Sequence, residues 1–140
     1  MSNIASVYTA VAAYAPTGAT TTRNITAVKL DVADADLPCR LLLPSTSAEG
    51  DFIMIGNLQN VGWAIRDLCL WAPLSDGGGI AQYASAMLTY ISSYLSKVKA
   101  GRNPATNCTI VGIEVQMGPV PWGTKDYWAV DITLTVEEIL

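Results

Sequence analysis

Apolar residues recur along this chain with two periods, and the switch between them divides it into elements. Ile80, Tyr83, Ala84, Met87, Leu88, Ile91, Tyr94, Leu95 and Val98 return at helical spacing and predict one long amphipathic helix over Ile80 to Ala100. Beyond it, Thr109, Val111, Ile113, Val115 and Met117 alternate with different neighbours, as do Trp128, Val130, Ile132, Leu134 and Val136. That period of two predicts a pair of strands, Thr109 to Met117 and Tyr127 to Glu137. Between them lies a turn-rich aromatic insertion, Gly118-Pro-Val-Pro-Trp-Gly-Thr-Lys-Asp126.

The N-terminal half is shorter in its rhythms. Ile4, Val7, Tyr8, Val11 and Ala15 have helical spacing, with Ser2 or Asn3 available as N-cap and Pro16 and Gly18 to stop the helix. A threonine-rich link leads to Thr26, Val28, Leu30 and Val32, whose alternation predicts a strand. Asp34 to Pro38 reads as a turn, Cys39 to Leu43 as a short strand, and Ser45 to Gly50 as a small polar tip. Phe52 to Ile55 and Val61 to Trp71 read as further strands. In the latter, Trp63, Ile65, Cys69 and Trp71 share one side while Ala64, Leu68 and Leu70 share the other, which predicts a strand covered on both faces. The expected architecture is one α+β domain over residues 1–140: a mainly antiparallel sheet with one long and one short helix packed on one face.

Composition adds an expectation of self-association. Charged residues are 14% of the chain and hydrophobic ones 51%, against roughly 25% charged in ordinary soluble domains. A single domain of 140 residues has too little interior to hide so much apolar surface, so partners are expected to cover part of it. The net charge of −4 provides no general field for nucleic acid or an anionic membrane. Lys97, Lys99 and Arg102 cluster where cations complement the carbonyl end of the long helix. Asp31, Asp34 and Asp36 read as a solvated loop, not a cation site. No apolar run approaches the roughly 18 residues needed to cross a bilayer, and the first residues lack the basic region and apolar core of a signal peptide. Cytosolic synthesis and folding are therefore expected, with Cys39, Cys69 and Cys108 as buried reduced thiols.

Candidate chemistry is sparse. The chain has no histidine, which removes the commonest general base and zinc ligand. It has no Cys-x-x-Cys pair and no Gly-x-Ser-x-Gly elbow. Asp76-Gly-Gly-Gly79 lacks the lysine and hydroxyl residue of a phosphate loop, and reads as a hinge or a close backbone approach. Asp67, Glu114 and Asp131 are the carboxylates inside predicted strands. Glu114 with Gln116, and Asp131 with Thr133 and Thr135, fit a polar sheet face better than an acid–base pair. No catalytic residue, cofactor or metal is assigned, and an enzyme is not expected.

Interfaces are the remaining candidates. Trp122 in its proline-stiffened segment either folds back on the sheet or anchors a neighbouring subunit, where a rigid aromatic offers large area at little entropic cost. Pro119, Val120, Pro121, Trp122 and Lys125 are therefore candidate contact residues, with Ser47 and Glu49 in the polar tip and Gly78 in the glycine run as segments ordered by assembly.

Several of these segments together resemble the tail-terminator proteins of long-tailed bacteriophages. They are the short N-terminal helix, the Leu37-Pro38 entry to a strand, and the strand ending Leu68-Cys-Leu-Trp-Ala-Pro73. The glycine-led helix Ile80 to Ala100 and the final strand pair closing on Val136-Glu-Glu138 complete the likeness. The polar stretch Gly18 to Asn24 departs from the family pattern. The resemblance implies a structural virion protein of the neck, assembled in the host cytoplasm as a homohexameric ring. Such a ring caps the tail tube protein and presents a surface to a head-completion or stopper protein, while DNA passes its lumen without specific binding. Neither a cofactor nor a membrane is implied. A different head–tail connector, a tail-completion or tail-tube-like subunit, and a small apolar-ligand-binding module are the other readings of the same texture.

Overall fold

Both helices of this chain press part of their apolar side against one shared sheet. The computed structural model describes residues 2–44, 52–55, 58–76 and 79–140. Among these, helix α1 (Ile4–Ala12) is followed by strands β1 (Thr21–Arg23), β2 (Cys39–Pro44), β3 (Phe52–Ile55) and β4 (Leu58–Pro73). Helix α2 (Ala84–Ala100) and strands β5 (Cys108–Trp122) and β6 (Lys125–Ile139) complete it. The sheet runs β1-β2-β4-β6-β5, with β3 paired to the leading end of β4; every pairing is antiparallel except that of β1 with β2. This is the α+β arrangement expected.

Both helices lie on one face. Val7 and Val11 of α1 and Met87, Tyr90, Tyr94 and Val98 of α2 form a single cluster with Ile65, Cys69, Val130, Ile132, Leu134 and Val136 of the sheet. The opposite face carries a smaller cluster, Cys39, Leu41, Leu68, Leu70, Tyr127 and Ala129, roofed by Val32 with help from Val28 and Leu37. Strand β4 is thus covered on both sides, as its two apolar faces require. All three cysteines are buried and unpaired.

Four expectations need correction. Thr26 to Val32 is no strand: Ile25–Ala27 forms a 3-10 turn, Asp34–Asp36 another, and the intervening chain roofs the second cluster with Val32 inward and Leu30 outward. Its alternation arises because an irregular segment can also press every other residue on a sheet. The edge strand forms instead at Thr21–Arg23, inside the polar stretch that fitted no pattern. Second, the segment 118–126 is mostly not loop. Pro119, Val120, Pro121 and Trp122 continue the β5–β6 ladder opposite Trp128, Tyr127, Asp126 and Lys125, leaving Gly123-Thr124 as a two-residue turn. Gly123 sits at φ +61°, and a Cβ there would stand 2.7 Å from the Leu30 carbonyl oxygen. That position both requires the left-handed region and excludes a side chain.

The third correction is a bulge. Ile110 pairs with Val136 and Gly112 with Thr135, so Val111 is the extra residue that the alternation count did not register. Ile110 and Cys108 face the core, and Val111 is 46% exposed. The fourth is the rotation of α2. A 3-10 turn occupies Ile80–Gln82 and the α-helix begins at Ala84; its buried line is Met87, Tyr90, Tyr94 and Val98, while Leu88 is 56% and Leu95 42% exposed. The buried stripe is narrower than the apolar one because α2 lies over β5, beyond which the described residues place no strand.

Candidate assembly surfaces

The carboxylates are engaged one by one. Asp67, fully buried on the helix side of β4, forms an ion pair with Arg40 of β2, at 2.6 Å from Nη2 and 3.3 Å from Nε. Arg40 also donates to the carbonyl of Val11 (3.0 Å) in the last turn of α1 and to that of Tyr14 (2.6 Å) just past its end, and the Tyr94 hydroxyl donates to Asp67 at 2.7 Å. One guanidinium therefore binds carbonyls at the C-terminal end of one helix, and one carboxylate receives a tyrosine hydroxyl from the other. Burial works against the Arg40 charge, yet the Asp67 carboxylate beside it raises its pKa above the ordinary arginine value. Burial, reinforced by Asp67, likewise keeps the Tyr94 phenol protonated.

Asp131 lies on the opposite face, held bidentately by Arg66 at 2.8 to 3.1 Å. Glu114 accepts from the Gln116 amide at 3.2 Å on the same polar face. Asp67 is separated from the other two by the thickness of the sheet. No group of three or more Cys, Asp or Glu is placed to hold a metal ion among the described residues.

A fourth carboxylate, Glu138, was not singled out from sequence. It is buried at the end of β6, where it accepts from the Asn3 amide (2.7 Å) and the Cys108 thiol (3.1 Å). Burial opposes its charge, but these donors and the Ser2 hydroxyl outweigh that and hold its pKa below the ordinary value. A depressed carboxyl contributes stability that is present above its unfolded pKa of about 4.3 and lost as pH falls through the folded value. Glu138→Gln is therefore expected to lower the melting temperature near neutral pH, with the gap to the parent closing below about pH 4. Melting curves at several pH values check this, and a gap independent of pH would refute it.

The proposed contact residues are divided by the structure. Pro119, Pro121 and Lys125 are exposed, while Val120 and Trp122 pack against the second cluster. The Trp122 indole donates to the Lys29 carbonyl at 3.1 Å, so this side chain folds back on its own chain. Trp122 and Lys125 together line a cleft of about 580 Å³ with Lys29, Asp31 and Tyr127. Ser47, Glu49 and Gly78 lie outside the described residues.

A different surface carries the uncovered apolar area. On strand β5, Val111 and Ile113 (37% exposed) lie beside Leu95 of α2, one heptad after the exposed Leu88, and Met117 (37%) is exposed farther along. Leu95, Val111 and Ile113 line a groove of about 240 Å³ whose rim is Lys99 and Arg102. Period alone places Val111, Ile113 and Met117 on a strand and Leu95 on a helical stripe, and leaves open which of them a partner element covers. The signal that would have found them is Pro119 and Pro121, since proline inside a ladder marks an edge strand.

No family model and no curated protein matches this sequence.

Proposed function

We propose that this chain is a self-assembling structural subunit of a phage neck, the ring-forming tail terminator that caps the tail tube and joins it to head-completion proteins. The supporting observation is the open apolar groove of Leu95, Val111 and Ile113, with Leu88 and Met117 also exposed. A small domain that encloses two clusters and still exposes such a groove retains area for a partner. The polar groups favour the same reading. Asp67, Asp131 and Glu138 are each committed to partners within the subunit, which leaves interfaces as the surface's main capability. The space between helices and sheet is filled by Met87, Tyr90 and Tyr94, which disfavours an apolar-ligand module. A net charge of −4 suits a lumen through which DNA passes without adhering.

The family assignment rests on the order and texture of the elements. Particles of the parent phage made without this chain test it. Overlong or headless tails are expected, and the tagged protein should mark the tube end with six-fold symmetry. Tails of normal length would overturn the terminator role and favour another connector, tail-completion or tail-tube-like subunit.

A further inference from the structure

Among the described residues, strand β5 is the outermost strand of the sheet, and its two ends are guarded in different ways. At the start, Cys108 bridges to Ala105, and the Ile110 amide donates to the Arg102 carbonyl at 2.7 Å, so this chain's own turn covers the edge. At the far end stand Pro119 and Pro121. In an antiparallel ladder, alternate residues turn their amide and carbonyl toward the partner strand or away from it. Counting from the Trp122–Lys125 pair that closes the two-residue turn, positions 121, 119, 117, 115 and 113 point away from β6. Proline at 121 and 119 removes those outward donors, a common protection against edge pairing. Among the described residues, nothing pairs with the outward groups of 113, 115 and 117.

The unguarded stretch reads Gly112-Ile-Glu-Val-Gln-Met-Gly118, which is close to a palindrome about Val115. We propose that two copies of this chain pair through β5 in antiparallel fashion, with a two-fold axis at Val115. Ile113 then faces Met117 of the other copy, Glu114 faces Gln116, and Gly112 faces Gly118. Each apolar side chain meets an apolar one, and each carboxylate meets an amide that can donate to it. Shifting the axis to residue 114 sets Glu114 against Glu114, and a slip of one residue opposes the apolar and polar faces. The ladder ends where Val111 meets Pro119.

The axis is perpendicular to the sheet, so both α2 helices lie on the same side of the joined sheet. Leu95, which already leans over Val111 and Ile113, faces the axis from each copy. Edge pairing and burial of the open groove therefore come from one contact. Such a self-complementary contact closes at two copies and does not by itself propagate into a ring. The inference concerns the free subunit and stands apart from the proposed function.

The test is the native mass and cross-linking of the purified chain. A dimer is expected at micromolar concentration. Val115→Cys should give a disulfide-linked dimer in good yield on mild oxidation, because directly opposed residues in such a pair stand about 5.5 Å apart, within disulfide reach. Its native cysteines are buried. Val115→Pro copies the protection at 119 and 121 and should give a monomer with an unchanged circular dichroism spectrum; Ile113→Lys should do the same if the proline variant misfolds. A wild-type monomer, a dimer without the 115–115 cross-link, or a free ring would each overturn the pairing. A free ring would do so while supporting the neck assignment.

Discussion

Asp67→Ala is expected to destabilise the subunit by about 3–5 kcal/mol, which is roughly 10–20 °C in melting temperature at this chain length. The cause is less the lost attraction than what stays behind. Arg40 and Asp67 are both 0% exposed, so removing the carboxylate leaves a guanidinium in the interior with no counter-charge. The Tyr94 hydroxyl loses its acceptor as well. Because Arg40 also holds the Val11 and Tyr14 carbonyls, the loss extends to the seating of α1. A double variant, Arg40→Met with Asp67→Leu, should recover much of the stability, since well-packed apolar residues of similar volume commonly replace a buried pair without loss. Thermal and urea unfolding of both variants check this. Equal destabilisation of the single and double variants would contradict the account.

Leu134→Ala is expected to cost about 2–5 kcal/mol, read as a lower urea midpoint with an unchanged slope. Leu134 is fully buried under the helices, opposite Ile113 on β5 and Ile65 on β4, so the cavity has rigid walls on two sides. Leu88→Ala makes the informative contrast. Both leucines belong to apolar stripes of equal regularity, yet Leu88 is exposed, and its truncation should alter the stability of a single subunit by less than about 0.5 kcal/mol. Similar losses at the two sites would mean that α2 is rotated from the orientation described.

That contrast marks where local pattern stops being informative. The period of two in β6 and the helical period of α2 reflect side chains alternating between a shared core and its outside, so both elements are legible at once. The bulge at Val111 is not. One extra residue reverses which side chains face inward, and only the pairing of Ile110 with Val136 and Gly112 with Thr135 reveals it. Trp122 is similar: its segment reads as turn-rich because prolines and glycines dominate it, whereas β6 supplies the partner that makes it strand. The candidate surface shifted for the same reason. Val111, Ile113, Met117 and Leu95 repeat as regularly as core positions and become an open margin because, among the described residues, no strand lies beyond β5 in the sheet.

By itself the sequence determined the class of the domain, the places of α2, β4 and β6, the buried state of its thiols and the lack of an imidazole anywhere. These depend on residue type and on periods set by the backbone, which neighbours in space do not alter. Tertiary structure alone decided that Thr21–Arg23 is the edge strand, that Arg40 and Asp67 join two helices to the sheet, and that β5 stands outermost with a self-matching stretch unguarded. Each depends on segments far apart in the chain meeting in space, and the local order of residues does not encode which partner each will meet.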